Sequence, residues 1–147
     1  MTKGNMRHIV YSDTISLSTK GFGDTADITD AVAKIHEKSK VMNGLVTVFC
    51  KGSTGTITTI EFESGVIQDL KEALEKIAPS DVPYKHDKAW EDGNGFSHVR
   101  AALMKPSISV PVIDGKMTLG TWQQIVFIDF DNRPRKRNVI VQVIGMV

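Results

Sequence analysis

The sequence predicts an α+β fold, a mixed or antiparallel β-sandwich with two main helices, formed by residues 1–147 as a single domain. Two stretches carry apolar residues at helical spacing, and about seven or eight others are rich in β-branched residues or alternate between apolar and polar positions. Helices and strands do not alternate along the chain, which argues against a parallel α/β sheet. No repeat and no Pro/Ser-rich linker divides the sequence.

The first half of the chain contains three β-patterned regions. Residues 8–19 predict one or two strands with a bend near Ser12-Asp13, because β-branched residues there lie among polar neighbours. Two further strands, 45–50 and 56–62, are separated by a glycine-flanked turn.

Two amphipathic patterns predict helices near 29–42 and 65–77. Each pattern places its apolar residues on one face and its charges on the other. The apolar faces consist of Ile28, Val32 and Ile35 in the first helix, and of Val66, Leu70, Leu74 and Ile77 in the second. The expected end signals are Asp27 or Thr29 before the first helix, Asn43-Gly44 after it, and Pro79 after the second.

The C-terminal third predicts β-structure. Residues 107–122 form a hairpin in this interpretation, because Asp114-Gly115 favours a type I′ turn. The runs 123–131 and 137–145 are expected to pair antiparallel through a turn over Asn132 to Lys136.

Composition restricts the classes of partner. The formal net charge is +1, so no global field holds nucleic acid or an anionic membrane, and we expect neither as a partner. The single cysteine, Cys50, excludes an intrachain disulfide framework, and it has no cysteine with which to form a redox pair. The N-terminus lacks a signal-peptide pattern, and no apolar run approaches the roughly 20 residues of a membrane span. A cytoplasmic location follows as an expectation.

Residues 84–112 are too polar for a core strand and concentrate the groups that could carry chemistry. His86 and His98 lie in this segment with Asp87, Glu91 and Asp92 near them. Imidazole and carboxylate together can bind a divalent cation or divide the roles of general acid and base. The spacing matches no compact metal motif, so two hydrogen-bonded surface histidines are the alternative. Asn94 could bind substrate, although Asn-Gly most often forms a turn.

Other candidate groups lie outside that segment. Ser53 and Thr54, in KGSTG, could surround an anion, or the segment could be a simple turn or bulge. Arg135 and Arg137, in RPRKR, suit phosphate oxygens, or they could lie at a solvated hairpin tip. Trp122 could stack on a ligand ring, close an interface or belong to the core.

The chain resembles the YjbQ-like family, whose members are often called secondary thiamine-phosphate synthases. The resemblance covers nearly the whole sequence, including the DIT motif at 27–29 and Glu61 after the second strand region. The family signature contains two histidines, Asn-Gly, a serine before Val-Pro-Val, Leu-Gly-Thr-Trp-Gln, an acidic strand end and Pro-Arg-x-Arg. These features match His86, Asn94, His98, Ser107, Val110 to Val112, Leu119 to Gln123, Asp129 and Asp131, and Pro134 to Arg137.

The resemblance implies a homotrimer and an enzyme that joins a pyrimidine diphosphate to a thiazole phosphate with loss of pyrophosphate. It places the catalytic residues in a cleft near a subunit boundary: His86, His98, Glu61, Asn94 and Gln123. It implies that a divalent metal, zinc or magnesium, is held by His86, His98 and Glu61. The phosphorylated substrate would be bound by Ser53, Thr54, Arg135 and Arg137.

Two departures from the family pattern concern this site. Gly52 stands where family members commonly carry a histidine, so a three-histidine metal site would be incomplete. The turn DNRPRKR is one residue longer than usual. The alternative to an enzyme is a binding or sensor module for a phosphorylated metabolite, another anion or a metal.

Overall fold

The computed structural model describes residues 6–147 and confirms the predicted α+β class. The strands of this part of the chain are β1 (His8–Thr19), β2 (Asp24–Asp27), β3 (Asn43–Cys50), β4 (Gly55–Ile60), β5 (Ser107–Ile113), β6 (Lys116–Met117), β7 (Gln124–Asp129) and β8 (Arg135–Met146). The helices are α1 (Thr29–Ser39), α2 (Ser64–Ile77), α3 (Lys85–Trp90) and α4 (Gly95–Met104). The two main helices were expected, whereas α3 was not.

The strands form two sheets in which every pairing is antiparallel. The large sheet has five strands in the order β1-β8-β3-β5-β6, and the small sheet has three in the order β2-β7-β4. The inner face of the large sheet packs on α1 and on one face of the small sheet, with Val32, Val141 and Phe127 fully buried between them. The other face of the small sheet packs on α2 and α4 through Leu74 and Ala101.

The predicted pairing of the last two long strands is wrong, because β7 and β8 belong to different sheets. In β7 every residue from Ile125 to Asp129 is buried, as expected for a strand covered on both faces. In β8 buried and exposed residues alternate, so only one of its faces is covered. The two burial patterns require different layers, and residues 130–134 carry the chain from one layer to the other.

The local turn signals were mostly correct. Asp114 and Gly115 both have positive φ, 48° and 75°, which fits the predicted type I′ hairpin between β5 and β6. The bend expected near Ser12-Asp13 is absent, since β1 pairs with β8 without interruption from His8 to Thr19.

At the start of α1 the carboxylate of Asp27 accepts hydrogen bonds from the amide and hydroxyl of Thr29. The helix ends at Ser39, before the expected Asn43-Gly44 signal, because Lys40 takes the left-handed conformation and β3 starts at Asn43.

Within residues 6–147 no helix combines the length and the apolar character needed to cross a membrane.

Candidate functional site

A short helical hairpin carries both histidines of the polar segment. Its helices, α3 and α4, are joined by a tight connection in which Glu91 and Gly93 have positive φ. The carboxylate of Asp87 accepts a hydrogen bond from the amide of Tyr84 and another from the amide of Gly95. One side chain therefore ties the start of α3 to the start of α4. This connection fixes the relative position of the two helices.

The hairpin brings the imidazoles of His86 and His98 into contact, with ring centroids 4.2 Å apart and ring planes tilted by 40°. The Nε2 atom of His86 is buried and has no hydrogen-bond partner among the described residues. A carboxylate oxygen of Asp92 lies 3.6 Å from it, which is too long for a hydrogen bond. The pair thus presents an unused nitrogen beside a carboxylate.

The pKa of His98 is lowered, mainly by burial and further by the neighbouring His86. The carboxylates of Asp92, Asp131 and Asp87 act in the opposite direction but do not outweigh these effects. A lowered pKa keeps the imidazole neutral at pH 7, the form that can accept a proton or coordinate a cation. The site therefore contains a base in its reactive form.

A buried charge network lies beneath the histidines. Arg137 forms a two-pronged contact with the carboxylate of Asp129, with both N···O distances 2.7 Å. This carboxylate also accepts the hydroxyl of Thr19. The Thr54 hydroxyl donates to Asp131 and accepts from Arg137. Because β1, β7 and β8 all contribute, the network joins the two sheets.

Asp131 is ionised within this network. Burial raises the pKa of its carboxyl, but the hydrogen bonds from Thr54 and Arg135 and the positive charge of Arg135 outweigh burial, so the pKa lies below its ordinary value. Its Oδ1 atom has no hydrogen-bond partner within the described chain. The fully buried carboxylate therefore places negative charge under the histidines.

Buried Asn94 connects the hairpin to the turn before β8. Its side-chain oxygen accepts a hydrogen bond from the hydroxyl of Ser97 and another from the amide of Asn132, at 2.7 and 3.1 Å. The side-chain amide of Asn132 donates in turn to the carbonyl of Asp92. These contacts hold the turn against the histidine hairpin.

Two cavities lie in this region: His98 lines the first, and Asp92, whose carboxylate is 3.6 Å from His86, lines the second. The first has a volume of about 240 Å³ and places His98 opposite small side chains; it is lined by Gly52, Ser53, Gly55, His98, Ala101, Ala102 and Pro106. The second has a volume of about 390 Å³ and is polar and basic; it is lined by Asp92, Asn94, Asn132, Arg133 and Arg135. We call the second one the basic cavity. Its two guanidinium groups outnumber its one carboxylate.

The structure brings together seven of the nine residues named from the sequence: His86, His98, Asn94, Ser53, Thr54, Arg135 and Arg137. Thr54 lies beneath the cavity surface, because its hydroxyl is engaged by Asp131 and Arg137. Arg137 belongs to the same buried network and keeps only 11% of its side chain exposed. Neither is free in this chain to bind a ligand.

Glu61 and Gln123 lie elsewhere. Gly55, at the start of β4, lines the cavity of His98, whereas Glu61 follows the end of β4, roughly 20 Å along the strand. Glu61 lines a separate cavity with Trp122, and Gln123 donates a hydrogen bond to Thr59. Across residues 6–147 no group of three or more His, Cys, Asp or Glu side chains converges as a metal site would require. Within one chain the two predicted imidazole ligands, His86 and His98, are therefore together, but the predicted carboxylate ligand, Glu61, is not beside them.

The backbone conformation at position 52 disfavours the imidazole that family members commonly carry there. The φ of Gly52 is +145°, a conformation that L side chains rarely adopt, and an added Cβ would lie 3.2 Å from a guanidinium nitrogen of Arg137. The backbone here suits glycine.

Two residues of the basic cavity, Asn132 and Arg133, were not singled out from the sequence. Arg133 was only one charge in RPRKR, and no local pattern separates it from Arg135 and Arg137. Burial separates them, since Arg133 is exposed while Arg137 is largely covered.

Two packed antiparallel sheets with helices against the smaller one place the chain in a class of small α+β proteins. A structure of this class, a YbjQ-like protein of unknown function from Sulfolobus solfataricus, superposes with a TM-score of 0.89 at 32% identity, covering 95% of this chain and 99% of the other. An uncharacterised YjbQ/UPF0047-family protein from Clostridium acetobutylicum gives a TM-score of 0.81 at 36% identity, covering 89% and 98%.

The chain belongs to the UPF0047, YjbQ-like family. The family's sequence model matches residues 13–146. A UPF0047 protein of Methanothermobacter thermautotrophicus is 40% identical over 136 residues, covering 92% of this chain and 93% of the relative. One from Archaeoglobus fulgidus is 39% identical over 130 residues, covering 88% and 98%. The resemblance seen in the sequence is confirmed.

Proposed function

We propose that the protein is a cytoplasmic enzyme acting on a phosphorylated small molecule, and that its reaction is of the thiamine-phosphate synthase type. The observation that carries the proposal is the contact between His86 and His98, together with Asp92, which lies 3.6 Å from His86 and lines the basic cavity. An imidazole can donate a hydrogen bond or a proton to a leaving group, and guanidinium groups supply charge for phosphate oxygens. The identity of the reaction comes from the family resemblance alone.

In this reaction the thiazole nitrogen attacks the methylene carbon of the pyrimidine diphosphate. A C–N bond forms as the C–O bond to diphosphate breaks, and the diphosphate leaves with the electron pair. The main physical requirement is to stabilise the negative charge on the departing group. Arg133 and Arg135 are the cationic side chains of the basic cavity that could do so. The attacking thiazole nitrogen has no proton to lose, so the histidines would act on the leaving group, by donating a hydrogen bond or a proton to the bridging oxygen of the diphosphate.

The test is pyrophosphate release and product formation from the two purified substrates. His98→Asn and His86→Asn should each lower the rate by about 10²-fold or more, as expected for loss of a general acid or base. His8→Asn is the matched control, because His8 lies exposed at the start of β1, away from the hairpin. No product from the natural protein, or an equal effect of all three substitutions, would refute the enzymatic proposal. Saturable binding of the substrates without turnover would support the binding-module alternative.

Metal binding by His86 and His98 stays a proposal. It is supported by the free Nε2 of His86, but the described chain offers no third ligand, and Glu61 lies elsewhere. This donor set does not complete a site for zinc or magnesium within one chain, so no step above depends on a metal. Elemental analysis of protein purified without chelator tests it. The natural protein is expected to contain stoichiometric metal, and His98→Asn is expected to contain none. Metal retained by His98→Asn would exclude His86 and His98 as the ligands.

We also propose that the chain assembles as a homotrimer, as the resemblance implies. The outer face of the large sheet offers a suitable surface, since no described layer covers it. Val10, Ile144 and Leu45 lie side by side in one row across three strands, and all are exposed. Phe49 and Ile140 form a second exposed row. Contiguous apolar surface of this kind marks an interface.

The oligomer test is light scattering at micromolar concentration. The natural protein should have three times the mass of one chain, and Ile144→Lys should dissociate it because the new charge would be buried without a partner. Ile77→Lys is the control, since Ile77 is equally apolar and exposed but lies on α2. A monomeric natural protein would overturn the proposal. A trimer that Ile144→Lys leaves intact would exclude this face.

A further inference from the structure

The turn between β7 and β8 presents an arginine whose side chain has no partner. Arg133 is exposed, lines the basic cavity, and makes no side-chain hydrogen bond or ion pair with any residue of the described chain. Its neighbours in sequence do make such bonds. Arg135 donates its Nε to Asp131 at 2.9 Å, and Arg137 is committed to Asp129. Of Arg133, Arg135 and Arg137, Arg133 is thus the one whose whole guanidinium group is available within the described chain.

The backbone beneath Arg133 is held firmly although the side chain is free. The amide of Phe22 donates to the carbonyl of Asp131 at 2.7 Å. Gly21, with φ +75°, lets the chain approach so closely that an added Cβ would lie 2.6 Å from the carbonyl oxygen of Arg133. Asn132 ties the other side of the turn to the histidine hairpin. A fixed backbone reduces the entropy that is lost when the side chain binds a ligand.

The remaining groups of the cavity indicate the kind of ligand. Arg135 is oriented by its bond to Asp131, yet its two terminal nitrogens have no hydrogen-bond partner in residues 6–147. Two guanidinium groups that face one space suit an anion with several oxygens, because each can form paired hydrogen bonds to phosphate. Asp92 is the single carboxylate of the lining, and it lies 3.6 Å from His86. The carboxylate therefore marks the side of the cavity that faces the histidines.

We propose that Arg133, together with Arg135, forms the phosphate-binding subsite of this chain, and that Arg133 gives this subsite its preference for diphosphate over monophosphate. The guanidinium group of Arg135, oriented by Asp131, suffices for a single phosphoryl group. The guanidinium group of Arg133, in the turn before β8, would bind the oxygens of a second phosphoryl group. The volume of about 390 Å³ admits a diphosphate. This inference rests on the proposed function for the nature of the substrate, but its test does not require turnover.

The experiment is isothermal titration calorimetry, in which the dissociation constants of the purified protein for inorganic pyrophosphate and for inorganic phosphate are measured at constant ionic strength. Arg133→Gln should weaken pyrophosphate binding roughly tenfold or more, the loss expected for charged hydrogen bonds. It should change phosphate binding much less. Arg133→Lys should restore part of the affinity, because an ammonium keeps the charge but not the paired geometry.

Lys136→Gln is the matched control. Lys136 is exposed, three residues away, and is absent from the lining of the basic cavity, so the substitution removes the same charge from the same strand region. The inference is overturned if Arg133→Gln and Lys136→Gln weaken binding equally, or if the natural protein binds neither anion at millimolar concentration. If Arg133→Gln weakens pyrophosphate binding but the natural protein shows no turnover, the subsite is supported and the enzymatic proposal is refuted. If Arg133→Gln retains full turnover, the enzymatic proposal is supported and the subsite is refuted.

Discussion

The contact between Arg137 and Asp129 should be the most important polar contribution to stability, and Asp129→Asn tests it. Asp129 is fully buried, and its carboxylate accepts two hydrogen bonds from Arg137, one from Thr19 and one from the amide of Asp131. The substitution keeps the volume of the side chain and removes its charge. The guanidinium group of Arg137, with 11% of its side chain exposed, then loses its main counterion.

The expected cost follows from the burial of the pair. Removing one partner of a buried ion pair costs about 3–5 kcal/mol. Asp131 lies 3.5 Å from the same guanidinium group and offsets part of the loss, so we expect about 3 kcal/mol, the lower end of that range. With a denaturant dependence of about 2 kcal/mol per molar urea, the unfolding midpoint should fall by about 1.5 M.

The assay is urea denaturation followed by circular dichroism at one fixed protein concentration, because an oligomer's stability depends on concentration. Asp13→Asn is the control. It breaks the exposed contact of Asp13 with Lys38, whose side chains are 40% and 62% exposed, so the cost should stay below about 1 kcal/mol. Equal effects of the two substitutions would refute the reasoning. Arg137→Met, alone and combined with Asp129→Asn, should show non-additivity, since the double variant removes the unpaired charge.

Three further results are expected. Proton NMR should place the titration midpoint of His98 below the ordinary imidazole pKa of about 6.5. Unfolding restores the ordinary pKa. The contribution of His98 to the free energy of unfolding should therefore be complete above about pH 6.5 and decline as the pH falls through the lowered pKa. A midpoint at or above the ordinary value would contradict this. Gly95→Ala should lower activity by moving α3 from α4, since its Cβ would lie 2.4 Å from the Cβ of Tyr84, whereas Gly120→Ala, whose Cβ would meet only Gln123 at 3.6 Å or beyond, should be neutral in the same assay. The thiol of Cys50 is buried and its pKa is raised, mainly by that burial, so a disulfide reagent should modify it only on the timescale of unfolding; rapid modification of the folded protein would show that the strand opens locally.

The histidine pair shows what could be foreseen about the site. Residues 84–112 were recognisable as a candidate site from composition, because so many polar groups in one segment need partners or a ligand. The resemblance implied one cleft for His86 and His98, and the structure places their ring centroids 4.2 Å apart, although Glu61 and Gln123 of the same set lie elsewhere. Which of Arg133, Arg135 and Arg137 is free to bind a ligand could not be predicted from the sequence, because all three are equivalent charges there. They differ only in which carboxylates the fold places beside them.

The α+β class, the two main helices and the hairpin at Asp114-Gly115 follow from the sequence alone, because helical periodicity and turn chemistry act over a few residues. The packing of the sheets, by contrast, places β7 between two layers and β8 in the large sheet, and it separates Glu61 from His98. These features depend on which faces are covered after the sheets pack. Burial and register of this kind arise from contacts between residues distant in sequence, which no local pattern records.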